Sequence, residues 1–266
     1  MLLSPAAMAL YLRETEAGCA LAREREAIAV IVSALGAGLM LPHLFDRGAA
    51  QAVLCAGPEQ AAALRAAAEG ALLAGRDRGA EVRMSAAGLK RVSRRLLRGK
   101  CVLWPDPDLL TRVLACRGAA EVHVGGVVNA PRLAQLLQLR AAASGRDIVL
   151  IPAAPAAGEG AHPEDSWAAA YLASLLEVEF AEEQERAAYE PHIAQVIRHG
   201  FDKLLQRREI AGRLERLKRS RDLGPAALRG SCRSIPSVTA EILAAAGETV
   251  TLSPADTTEL WLHARW

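Results

Sequence analysis

Little separates positive from negative charge in this sequence: 32 Lys and Arg stand against 30 Asp and Glu, a formal net charge of +2. No global field draws the chain to nucleic acid, and acidic ligands would have to be met by local arginines. Cysteine pairs at C-x-x-C spacing are missing too. Cys19, Cys55, Cys101, Cys116 and Cys232 are scattered and odd in number, which reads as reduced cytoplasmic thiols, with Cys55 and Cys101 inside apolar, core-forming runs. The first residues, "MLLSPAAMALYLRETEAG", lack a basic segment and a cleavage site, so no secretion signal is expected. Internal repeats are absent. Aromatics make up only 4% against a 52% hydrophobic fraction, a bias toward Ala, Leu and Arg that fits a GC-rich bacterial genome more than any function.

The one long stretch without charge is "IAVIVSALGAGLMLPHLF", residues 28–45. It approaches the length of about 20 residues needed to span a bilayer, but Gly36, Gly38, Pro42 and His43 interrupt it. "AIAVIV" is continuous and β-branched, as suits a strand buried on both faces, and the glycines mark a turn. A membrane span is therefore not expected. Neither is a nucleotide loop: "GAG" is followed by "LML", without the third glycine of G-x-G-x-x-G or a Walker lysine.

Strand-like and helical runs alternate through the first two thirds. Strands are expected at 28–33, 50–56, 101–104, 121–128 and 147–153. Helical segments are expected at 40–47, 57–70, 107–118 and 130–145, with proline near several starts and glycine after several ends. This pattern predicts a layered α/β/α domain with a largely parallel or mixed sheet over residues 1–165. From Ser166 long helices follow, giving a helical C-terminal portion (166–266) packed on the core. Its basic run "QRREIAGRLERLKRSRD" (206–222) reads as a solvated face with local ion pairs, or as a phosphate- or partner-binding patch. The tail "ETVTLSPADTTELWLHARW" ends in an alternating strand-like segment that suits a sheet edge or a subunit contact, which leaves a homo-oligomer open. Ligands of such folds collect at the carboxyl ends of strands, so the loops after Val32, Trp104, Val128 and Ala153 are the ones to inspect.

Several segments carry a resemblance by order and spacing. "DRGAAQAVLCAGPEQAAAL" is similar to a family's glycine-alanine turn, strand and helix; "AEVHVGGVVNAPRLAQLL" to its strand ending in G-S-x-x-N-A; "HPEDSWAAAYL" to its L-E-D helix start. "AGRLERLKRSRDLGPAALRGSCRSIPSV" keeps its G-x-x-L, the following Asp and a hydrophobic-Pro. These features resemble the 2-phosphosulfolactate phosphatases, magnesium-dependent phosphomonoesterases of coenzyme M biosynthesis that also occur widely in bacteria. The resemblance implies Mg2+ as cofactor and a small phosphorylated acid as substrate. It points to Asp165 and Glu164 for catalytic roles, with Asp165 on the metal, and to Arg78, Asn129 and Ser33 at the substrate; Asp106 and Asp108, new relative to the family pattern, would supply a relocated metal site.

Departures from the family pattern are as informative. Where the family's first strand ends in I-D-V-L-R-A-T-T-T, counting from the shared glycine-alanine puts Ser33 at its aspartate, Gly36 at its arginine, and Gly38, Leu39 and Met40 at its threonines. Its E-R-G-G is echoed by Asp77 to Ala80, and its D-x-x-x-C-x-x-x-D survives only as Asp222. Phosphoryl transfer depends on positioned charge, and each lost electrostatic donor costs about 3–4 kcal/mol in the transition state. Two readings therefore stand: a magnesium-dependent hydrolase of a small phosphorylated acid, or a catalytically silent relative that keeps the fold for binding or assembly. The individual residues have plainer readings as well. Glu164 and Asp165 suit a helix start, Asn129 an N-cap, and Asp106 and Asp108 a turn and cap; Arg78 suits a solvated loop, and His123 and His162 suit packed or surface positions.

Overall fold

A computed structural model describes residues 8–75, 79–154, 161–258 and 260. The strands are β1 (Leu10–Leu12), β2 (Ile28–Val32), β3 (Gln51–Cys55), β4 (Leu72–Gly75), β5 (Val82–Arg83), β6 (Cys101–Pro105), β7 (Glu121–Gly125), β8 (Ile148–Pro152), β9 (Pro236–Thr239) and β10 (Val250–Pro254). The helices of the first two thirds are α1 (Thr15–Glu24), α2 (Ala37–Asp46), α3 (Pro58–Ala67), α4 (Ala86–Leu89), α5 (Arg94–Leu97), α6 (Pro107–Ala115) and α7 (Ala130–Ser144). The remainder are α8 (Pro163–Ala173), α9 (Glu183–His199), α10 (Phe201–Leu205), α11 (Arg208–Arg216), α12 (Leu223–Ala227) and α13 (Ala240–Ala245), with a 3-10 turn at Ser220–Asp222.

Local chemistry accounts for the boundaries. All five residues of β2 are buried, as a β-branched strand covered on both faces requires. Pro58 and Pro107 open α3 and α6, where a missing N–H costs nothing. Asp106 caps α6 by accepting the Leu109 N–H at 3.1 Å. Gly145 ends α7 at a φ of 68°, the left-handed turn that glycine adopts without strain.

The sheet is mixed, in the order β1-β8-β2-β7-β9-β10-β3-β6-β4-β5. Two parallel quartets, β1-β8-β2-β7 and β3-β6-β4-β5, are joined by β9 and β10 through three antiparallel pairings. Three reversals leave the quartets running in opposite senses. In a flat sheet their carboxyl ends would lie on opposite edges. Yet strand ends of both quartets line one cavity, so the ladder must turn a corner between them. β10 supplies it by changing partner, pairing Val250–Leu252 with β3 and Ser253–Pro254 with β9.

The first part of the tail, Val250–Pro254, forms β10 inside the sheet, between β9 and β3; residues 261–266 at its end, for which an edge or subunit contact is expected, fall outside the described ones. The charge-free stretch from Ile28 lies inside the protein as β2, a turn and α2, and among the described residues no helix is long and apolar enough to cross a membrane. All five cysteines are free thiols. Its glycines serve close packing. A Cβ on Gly38 would fall 2.0 Å from the Gly125 carbonyl oxygen and 2.3 Å from that of Ser33, and one on Gly126 would fall 2.9 Å from the Ser33 oxygen. The "GAG" and "GG" turns after β2 and β7 thus interlock backbone to backbone.

Candidate functional site

A cavity of about 1050 Å3 opens at the carboxyl ends of β2, β4, β6 and β8. It draws on both quartets, and four helices begin at it: Gly36 precedes α2, Pro58 opens α3, Asp106 precedes α6 and His162 precedes α8. Helix N-termini carry partial positive charge and unpaired N–H groups, which favour anions. Acidic side chains already occupy the first turns of α3, α6 and α8. The first turn of α2 has none, so its N-terminus is the one left electrostatically open.

Five of the residues expected from sequence meet in this cavity: Ser33, Asp106, Asp108, Glu164 and Asp165. Ser33 follows β2, and its Oγ accepts the Gly36 N–H at 3.2 Å. Asp165 is 3% exposed, and its Oδ1 accepts the Ala34 N–H at 2.7 Å. Burial, and then the adjacent Glu164 carboxylate, push its pKa well above the usual carboxylate range. Glu164 is also buried and ion-paired with Arg213; burial raises its pKa while Arg213 opposes the shift. Its Oε2 has no hydrogen-bond partner among the described residues. Asp106 combines its capping role with a pKa raised by burial, and Asp108 is exposed in the first turn of α6.

Two of the expected residues are not brought there. Asn129 is fully buried and does not line the cavity; its Oδ1 accepts the Gly126 N–H at 3.0 Å and its Nδ2 donates to the Ser234 carbonyl at 3.3 Å. It precedes α7 but makes no side-chain cap. Arg78 lies outside the described residues.

The cavity also takes in residues that the sequence did not assign to a site. Arg112, Arg213 and Arg219 line the cavity, as does His162. Burial, and then Arg213 and Arg112, lower the His162 pKa. The basic run was the available signal for Arg213 and Arg219, and these two arginines turn inward. Arg219 donates to the Asp222 carboxylate at 2.8 Å and to the Leu35 carbonyl. Arg112 has no ion-pair partner among the described residues, so it is the cavity's best-placed cation for an incoming anion.

A divalent cation of the hard type needs several oxygen ligands, typically one or two carboxylates completed by water and phosphate. Among the described residues no group of three His, Cys, Asp or Glu is placed to hold one. The two innermost carboxylates are engaged by Ala34 and Arg213 and shifted toward their protonated forms. A cation here would have to rest on one or two of the cavity's carboxylates, completed by water and the ligand's own oxygens.

Fold and site together define an α/β protein with a cavity at its strand ends lined by both carboxylates and arginines. The sequence profile described as 2-phosphosulpholactate phosphatase matches residues 16–241, and the chain belongs to that family. Comparison with curated proteins finds no match.

Proposed function

We propose that the cavity binds a small phosphorylated acid, and that this chain is a binding member of its family whose magnesium-dependent turnover has been lost. The observation that carries the reading is the state of the inner carboxylates. Asp165 and Glu164, to which the resemblance assigns the chemistry, are tied to the Ala34 N–H and the Arg213 guanidinium. Ser33 and Gly36 stand where the family's strand-end Asp and Arg are expected. What remains suits holding an anion: the open N-terminus of α2, Arg112, and Arg213 and Arg219 behind them.

A hydrolase reading has one observation in its favour. The cavity is open and not filled by Leu39 and Leu41, both of which are fully buried in the core. One experiment separates the two. Purified protein is titrated with 3-phosphoglycerate, a small phosphorylated acid, and phosphate release is followed with and without Mg2+. Binding without magnesium-dependent release is expected, and Asp165→Ala should release phosphate no more slowly than the parent. Turnover that needs both magnesium and Asp165 restores the hydrolase; absence of binding, together with absence of turnover, removes both.

A further inference from the structure

Beside the main cavity lies a smaller concavity of about 280 Å3, between α4 and the segment that leads from α11 into the 3-10 turn. Arg83, Arg91, Lys218, Arg219 and Arg221 line it, with Asp222 as the carboxylate. We propose that this pocket is a second oxyanion site, distinct from the main cavity, that takes a phosphate or pyrophosphate group.

The charge balance is the first ground. Asp222 is fully buried and already accepts from Arg219 Nε at 2.8 Å and from the Ala87 N–H at 3.2 Å. Its charge is answered by Arg219. Leaving Arg83 aside, the exposed Arg91, Lys218 and Arg221 line the same small concavity, and none is ion-paired among the described residues. Like charges gathered around a concavity repel one another unless an anion occupies it, and the concave shape strengthens the field on that anion. Ser85 adds a hydroxyl at the rim; its Oγ accepts the Gly88 N–H at 3.0 Å, which leaves its hydrogen free to donate.

The backbone supplies the second ground. Lys218 has a φ of 56°, the left-handed conformation that closes α11. The Arg219 N–H reaches the Leu214 carbonyl at 2.7 Å and the Lys218 N–H the Glu215 carbonyl at 2.9 Å, the paired bonds of a helix stop usually built on glycine. A lysine is kept where glycine would be unstrained, and that lysine lines the pocket. A strained backbone position whose charged side chain lines a concavity is one that a binding role would explain.

Arg219 also lines the main cavity, so it forms the wall between the two. The occupant is therefore either a free inorganic anion or a second phosphate on the ligand of the main cavity. The proposal stands whether or not the main cavity binds as described above.

The test uses isothermal titration of the full chain with pyrophosphate, with thermal melting of every variant to establish folding. Arg91→Gln, Lys218→Gly and Arg221→Gln combined should weaken pyrophosphate by at least about 100-fold, since each lost charge-assisted contact is worth roughly tenfold. Arg112→Gln, in the main cavity, should leave that binding in place. Lys218→Gly alone should weaken binding while melting no lower than the parent, a combination that a purely structural lysine would not give. Unchanged affinity in the triple variant overturns the proposal, as does loss of pyrophosphate binding in Arg112→Gln. With 2,3-bisphosphoglycerate, one equivalent bound and weakened by both the triple variant and Arg112→Gln assigns the pocket to a ligand's second phosphate. Pyrophosphate binding undisturbed by saturating 3-phosphoglycerate assigns it to a free anion.

Discussion

Gly38 has no space around its α-carbon. Because the neighbouring oxygens belong to the Gly125 and Ser33 backbones, no side-chain rotation can relieve an added methyl group. Gly38→Ala is expected to cost about 3 kcal/mol or more, at the upper end of overpacking effects, measured as a fall in the urea midpoint. At Asp165 the expected effect depends on pH. Its native pKa is raised, so above the unfolded value the native state keeps a proton that the unfolded chain has released. Its contribution to stability is full below the unfolded pKa and is lost as pH rises through the folded one. Asp165→Asn retains an acceptor for the Ala34 N–H but cannot ionise. Its stability relative to the parent should therefore grow as pH climbs from about 4 toward neutrality, and equal pH slopes in urea denaturation would contradict the assignment.

Among the elements, α2 shows how much was legible in the sequence. "IAVIV" announced a buried strand through its β-branched run, and the expected segment at 28–33 is β2 at Ile28–Val32. The following segment was expected as a helix only from 40, whereas α2 begins at Ala37. Glycines read as a turn also lie inside the first turn of the helix, because tight approach to β7 demands them there. Helices with proline starts were placed within a few residues, since φ of proline and the cap chemistry act locally. β1, β9 and the short β4 and β5 gave no comparable signal: β1, β9 and β4 are held by pairing with partners that no local window contains, and β5 is only two residues long. The same limit hid the arginines. Arg213 and Arg219 occupy a run that looks solvated residue by residue, and only tertiary packing reveals that they face inward. For α2 the outcome is measurable: of the four helices that begin at the cavity, it alone lacks an acidic first turn, and Gly36→Asp would place a carboxylate there. It should weaken binding of 3-phosphoglycerate by about tenfold or more through like-charge repulsion.

For the molecule as a whole, the central place of β9 and β10 governs cooperativity. Leu252 is fully buried and pairs with Ala52 at the junction of the quartets. Leu252→Ala should cost roughly 2–5 kcal/mol, and fluorescence and circular dichroism should still report one shared transition. Two separated transitions would mean that the quartets are stable independently. The order of strands has a further consequence for synthesis, which runs from the N-terminus. Both quartets are complete once residue 152 has been made, but the strands that join them begin only at Pro236. Through the intervening elongation the growing chain carries two unsatisfied inner edges, on β7 and β3, each an apolar strand able to pair with a neighbouring chain. The most vulnerable moment of this protein's life thus falls on the ribosome, before its last two strands arrive.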